Sequence, residues 1–115
     1  MARVDRSTKN PLSVKISVDT IKPIRITFDP AKNEANVRER GLPFSLVRDE
    51  FDWPSAWVTE DLRKDYDERR YRALGYVGTR LHAVIYTPRS GATHVISLRK
   101  ANRREERLYA AQTES

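Results

Sequence analysis

The sequence predicts an α+β fold: an antiparallel sheet, two helices packed on one of its faces, and a third helix at the C-terminus. Three observations carry that prediction. Apolar and polar residues alternate through residues 69–77, 80–87 and 93–99, with glycine-containing turns between them, which is the pattern of a three-stranded meander. Asp29-Pro30 opens and Gly41 closes a segment of helical spacing; the first pair combines an N-cap with a preset φ, and the glycine can take the left-handed conformation. Asn102 stands where a strand end runs into a basic stretch, placed to cap a last helix.

Residues 1–23 read as an N-terminal extension to a core domain of residues 24–115. Val14, Ile16 and Val18 alternate with Lys15, Ser17 and Asp19, which fits an added edge strand; a disordered segment is the alternative. Residues 24–28 alternate again and form the first core strand. The helix after Asp29 shows a thin apolar stripe of Ala31, Ala35 and Val37, with Lys32, Asn33 and Asn36 on its polar side. A second short helix, residues 45–52, presents Val47 and Phe51 on one face and ends at Trp53-Pro54. Trp53 and Trp57 are expected as core or interface anchors, and residues 58–67 as a polar loop.

Gly78-Thr79 suits a two-residue turn, and Arg89-Ser90-Gly91 a three-residue turn with glycine left-handed. The register that follows puts Arg70, Arg72, Leu74, Leu81, Ala83, Ile85, Thr93, Val95, Ser97 and Arg99 on one face. Tyr71, Ala73, Val84, Tyr86, Ile96 and Leu98 share the other, apolar face, which should carry the two early helices. His82 and His94 fall on that apolar side or its rim and are expected to be structural. An arginine-bearing sheet face is a candidate groove for a nucleic-acid backbone or an acidic partner.

The totals are compatible with that partner. Lys and Arg number 22 against 16 Asp and Glu among 115 residues, a net charge of +6. With no cysteine, the chain has no disulfide framework and no thiol nucleophile. Neither histidine has a partner at metal-ligand spacing, so no metal and no cofactor are expected. No apolar run is long enough to cross a bilayer and the start lacks a signal-peptide core, so a cytoplasmic location away from the membrane is expected.

Four motifs now stand in order: Phe28-Asp29-Pro30-Ala31-Lys32-Asn33, Arg40-Gly41-Leu42-Pro43-Phe44, Asp67-Glu68-Arg69-Arg70-Tyr71-Arg72-Ala73-Leu74-Gly75, and Ile96-Ser97-Leu98-Arg99-Lys100-Ala101-Asn102-Arg103-Arg104-Glu105. Together they resemble the BrnT family of bacterial type II toxins, over roughly residues 24–109. The resemblance implies a RelE-like fold and a ribonuclease that arrests translation. It also implies a BrnA-like protein antitoxin, RNA as substrate, and contact with operator DNA only through that antitoxin. Two positions depart from the family: Arg40 stands where a histidine is usual, and Asp67 where a glycine is frequent. Arginine at position 40 could hold a phosphate but is too basic to transfer a proton.

Metal-independent RNA cleavage needs a base for the 2′-hydroxyl, cations for the phosphorane, and an acid for the 5′-oxygen. Arg99 and Arg80, expected to meet at one sheet corner, are the candidate phosphate clamps and transition-state stabilisers. Glu68 and Arg70 match the family's Glu-x-Arg motif. Glu68 is the candidate base if burial raises its pKa, and an ordinary Glu–Arg ion pair is the rival. By the register Arg70 lies at the far end of the sheet from Arg99. Lys32, Arg40, Arg72, Lys100 and Arg103 are the expected RNA-backbone contacts. The rival reading of the whole chain is a catalytically weak relative, kept as a nucleic-acid-binding or co-repressor module.

Overall fold

A computed structural model describes residues 24–63 and 67–113; the expectation for residues 1–23 lies outside them. The elements are β1 (Ile26–Phe28), α1 (Pro30–Arg40), α2 (Ser45–Asp49), a 3-10 turn (Trp53–Ser55), β2 (Trp57–Glu60), β3 (Tyr71–Val77), β4 (Arg80–Arg89), β5 (Ala92–Lys100) and α3 (Arg103–Thr113). They build one five-stranded sheet in the order β1-β5-β4-β3-β2. No helix among the described residues is long and apolar enough to cross a membrane.

The sheet is mixed rather than antiparallel, because β1 runs parallel to β5 and pairs only with Thr93, His94 and Val95. That direction delivers α1 to the part of β5 that β1 leaves uncovered. There Asn36 donates from Nδ2 to the Leu98 carbonyl at 2.9 Å and to the Leu42 carbonyl at 2.7 Å. The side chain thus supplies a donor that a longer edge strand would have supplied. Asn33 accepts from the Phe44 N–H at 2.8 Å, fixing the chain between α1 and α2. The buried side of α1 is therefore polar: Asn36 is 6% exposed, whereas Val37 is 43% exposed and Ala31 is exposed. The apolar stripe expected on this helix is corrected accordingly. A helix docked on a strand edge must satisfy carbonyls before it buries methyl groups.

The helix ends are as expected. The Ala31 N–H donates to Asp29 Oδ1 at 3.0 Å, Pro30 begins the helix, and Gly41 at φ 71° donates to the Val37 carbonyl. At the chain's other end, Asn102 and Glu105 cap α3 reciprocally. The Glu105 N–H donates to Asn102 Oδ1 at 2.8 Å and the Asn102 N–H to Glu105 Oε1 at 3.0 Å, a capping box.

Residues 57–60 form an edge strand instead of starting a loop, with Trp57 opposite Leu74 and Thr59 opposite Arg72. Two apolar clusters lie on the two sheet faces. One joins Phe44, Val47 and Phe51 to Ala73, Val84, Val95 and Leu98. The other joins Leu74, Leu81 and Ala83 to Ala101 and Tyr109 of the C-terminal segment, with Trp57 at its rim. Trp53 packs edge-on against Phe51 and Tyr86 and donates from Nε1 to the Val47 carbonyl.

The turn between β3 and β4 has two residues, Val77 facing Arg80. The turn between β4 and β5 also has two, Arg89 facing Ala92, with Ser90 at φ 51° and Gly91 at φ 78°. This corrects the three-residue expectation. Serine rarely enters the left-handed region, yet both central residues do so here, as a type I′ hairpin requires. The one-residue difference reverses the faces of residues 92–95, so that Val95 joins the core opposite Tyr86. The pairing then steps from Tyr86–Val95 to Ile85–Ser97, leaving Ile96 as a bulge. Beyond the bulge, Ser97, Leu98 and Arg99 regain the expected faces.

Gly75 shows how tightly the first cluster closes. A Cβ there would sit 2.6 Å from Phe51 Cζ and 3.0 Å from its Cε1. Phe51 is buried and braced by Trp53, so the ring cannot withdraw without disturbing its neighbours. Gly75→Ala is expected to cost about 1–3 kcal/mol, read from the urea unfolding midpoint. Unchanged stability would show that the ring swings aside freely.

Candidate active site

The bulge and the short turn decide which chemistry the sheet exposes. Thr87 faces His94, and His94 faces Thr27, so these three residues form a row across the sheet on the face opposite Tyr86 and Val95. Arg70, one residue before β3, shares the parity of Arg72, which faces Ile85, and so belongs to that same face. The Thr87 hydroxyl donates to the Arg69 carbonyl at 2.6 Å, tying the lead-in of β3 to β4 and fixing where Glu68 and Arg70 stand. The row lies beyond the apolar cluster that receives Tyr109.

Around it the side chains enclose a cavity of about 260 Å3, lined by Asp29 and Lys32 from the start of α1, Glu68, Arg70, Arg89, and His94 to Ile96 of β5. Glu68 accepts from Arg89 Nη2 at 2.8 Å and from its Nε at 3.3 Å. The Arg89 guanidinium, helped by Arg70, holds the Glu68 carboxyl below the ordinary carboxylate range against a desolvation cost. Glu68 is thus paired with Arg89 and its carboxyl is shifted down, where the candidate base called for a shift up. The Thr27 hydroxyl lies 2.8 Å from His94 Nδ1. Burial, then Arg89 and Lys32, push the His94 imidazole down from its ordinary value, with Glu68 and Asp29 opposing. The ring is consequently neutral at neutral pH.

A second cluster surrounds Glu105. Arg99 donates to both carboxylate oxygens, at 2.8 and 2.9 Å, and Arg72 donates to Oε2 at 3.2 Å. Arg99, foremost, and Arg72 hold the Glu105 carboxyl below the ordinary range, and the Asn102 N–H adds to the effect. Arg99 also lines a cleft of about 270 Å3 with Arg40, Leu42 and Lys100. Arg40 donates to Asn36 Oδ1 at 3.1 Å, which anchors it beside the same strand edge.

Arg80 binds different groups from Arg99. Its Nη2 donates to the Ala101 carbonyl at 3.2 Å and its Nε lies 3.9 Å from Glu106 Oε2. The partner of Arg99 on β4 is Ala83, three positions beyond Arg80. The shorter turn and the bulge each advance β5 by one residue along β4, so Arg99 lies two positions further along β4 than the expected register put it. Arg103 is exposed at the start of α3. Arg70 and Arg99 line separate depressions, as the sequence register implied.

Sequence reasoning gave Arg89 and Glu105 no part in a site, and read Asp29 only as a helix cap and His94 only as structural. The interval Asn102-x-x-Glu105 was a legible signal, because an acid three residues after an N-cap reaches back to the helix start. His94 was hidden by the turn: a three-residue loop sets it beside Tyr86, and a two-residue loop beside Thr87. His82, by contrast, is buried with Nδ1 2.8 Å from the Arg80 carbonyl.

Fold and surface together define a small α+β protein with an arginine-rich sheet face suited to a polyanion. The chain belongs to the family of BrnT ribonuclease toxins of type II toxin–antitoxin systems, whose model matches residues 28–105. That span contains every residue lining the polar cavity and the whole Arg72–Arg99–Glu105 cluster. A toxin of this type has a protein antitoxin as its counterpart. Comparison with curated proteins gives no significant match.

Proposed function

We propose that this toxin is a metal-independent endoribonuclease with its reaction centre in the cavity lined by Lys32, Glu68, Arg70, Arg89 and His94. It arrests translation by cutting RNA, and a BrnA-like antitoxin neutralises it by covering the arginine face and carries any contact with operator DNA. A RelE-like fold is the corresponding structural reading. The observation that carries the proposal is the convergence of three cations and a neutral imidazole in one polar cavity.

Attack of a ribose 2′-oxygen on the adjoining phosphorus builds negative charge on the phosphorane. Preorganised guanidinium groups stabilise that charge without reorganising as it forms. Arg70 and Arg89 serve this purpose, with Glu68 holding the Arg89 fork in place. Lys32 binds a flanking phosphate. Arg40 ends the same helix, about 12 Å further along at 1.5 Å per residue, and with Lys100 and Arg99 continues the backbone track. Arg72 and Arg103 border it, and Arg80, at the α3 end, stands outside the reaction centre. Position 40 lies outside the cavity, so arginine there leaves the proposed proton transfers intact.

The test is induced expression with and without a co-expressed antitoxin, following growth and mRNA integrity. The expected result is growth arrest and RNA fragments ending in 2′,3′-cyclic phosphate, both relieved by the antitoxin. Normal growth with intact mRNA, in cells accumulating folded protein, would sink the proposal.

A further inference from the structure

Resting on the ribonuclease reading, we propose that His94 is the general base of the cleavage, its Nε2 taking the proton of the ribose 2′-hydroxyl. The cavity leaves it that role by elimination. Arg70 and Arg89 carry guanidinium groups, which bind phosphate oxygens in a fork and make poor bases, and Lys32 offers a point charge suited to the same anion. Asp29 spends Oδ1 on the Ala31 N–H that begins α1. Glu68 is bound through both oxygens by Arg89. His94 alone among the lining side chains is a neutral nitrogen base, and its ring is held in place. With its proton on Nδ1 donated to the Thr27 hydroxyl, 2.8 Å away, the Nε2 lone pair is left to accept.

The groups facing this ring come from every strand and helix around it: Thr27 from β1, Asp29 and Lys32 at the start of α1, Glu68 and Arg70 before β3, and Arg89 at the end of β4. Cations outnumber carboxylates three to two among them, and burial acts in the same direction on the ring. Both keep the imidazole unprotonated and ready in the cell.

The step balances without a further reagent. The 2′-O–H bond breaks and its proton passes to Nε2; the 2′-oxygen bonds to phosphorus. The bond from phosphorus to the 5′-oxygen breaks, and that oxygen takes a proton from water. The products are a 2′,3′-cyclic phosphate and a 5′-hydroxyl, and His94 later returns its proton to solvent. Substrates lacking the 2′-hydroxyl bind but are not cut.

The experiment is a pH–rate profile of RNA cleavage by the purified full chain, His94→Gln, His94→Ala and Thr27→Val. The wild-type rate should rise through a titration below the ordinary histidine range and then level off. His94→Gln should lose about 10²–10⁴-fold and that rise with it, while added imidazole restores part of the rate of His94→Ala. Thr27→Val, which keeps the ring but frees Nδ1, should fall between them. The chain has two histidines, so proton NMR separates the titration of His94 from the buried His82. Wild-type cleavage with an unchanged profile in His94→Gln overturns the assignment and leaves the ribonuclease reading standing. A folded wild type that cuts no RNA at any pH overturns both.

Discussion

Arg89→Ala is expected to slow single-turnover RNA cleavage by about 10²–10³-fold, the usual cost of removing one preorganised donor from a developing oxyanion, while Arg80→Ala stays within a few-fold of the unmutated chain. The contrast follows from where the register sends each side chain. Arg89 ends β4 beside the Ser90-Gly91 turn and is aimed into the cavity by Glu68. Arg80 begins the same strand at the opposite end of the sheet and is engaged by the Ala101 carbonyl. Stability should hardly register the first substitution. The Arg89–Glu68 pair is exposed at 48% and 33% of its side chains, and such pairs contribute about 0–1 kcal/mol. A loss of rate therefore cannot be assigned to unfolding, and unfolding midpoints of the two variants give the control. Glu68→Gln should show a smaller loss than Arg89→Ala, since it removes the brace and keeps the guanidinium. Equal loss for Arg80→Ala and Arg89→Ala would relocate the reaction centre toward α3.

How far the fold could be read from the residues depends on which signals are local. Asp29-Pro30 and Gly41 are capping and φ effects within a turn of helix, and they placed α1 to the residue. The Gly78-Thr79 turn and the alternation of β3 and β4 are equally local, so the face bearing Arg70 and Arg72 was legible as well. What failed depended on tertiary context. Ser90 takes a left-handed φ that its side chain disfavours, and no residue type announces the bulge at Ile96. Those two features together move Arg99 from beside Leu81 to beside Ala83, and the turn alone carries His94 from one face to the other. The apolar stripe of α1 misled for another reason. Its partner is a strand edge with an open carbonyl at Leu98, and Asn36 answers a hydrogen-bonding demand that periodicity does not report. Strand β2 was missed because its pairing partner, residues 71–74, lies across an intervening loop. The candidate site inherits these limits: Lys32, Glu68 and Arg70 were found from their motifs, whereas Arg89 and His94 reach them only through a register set by the turn.

The second large effect concerns the fold itself. Glu105→Ala is expected to destabilise the chain by about 3–5 kcal/mol, the cost of stranding buried partners of a charge pair, and we place it near the lower figure because Arg72 and Arg99 keep 27% of their side-chain surface exposed. The carboxylate, itself 2% exposed, joins three elements at once: β3 through Arg72, β5 through Arg99, and the start of α3 through the Asn102 N–H. Alanine removes the helix cap as well as the anion, and leaves the Nε of Arg72, already buried without a partner, beside a second guanidinium with nothing between them. Glu105→Gln keeps one acceptor for Asn102 and should cost less, so the difference between the two variants isolates the charge. The pH dependence has a definite sign. Because the folded state lowers the Glu105 pKa, the stabilisation is complete above the unfolded carboxylate value and is lost as pH falls through the folded one. Urea unfolding at neutral and acidic pH should show the gap between wild type and Glu105→Gln closing in acid. A gap that persists where the carboxylate is fully protonated would mean that packing at this position, rather than its charge, holds α3 to the sheet.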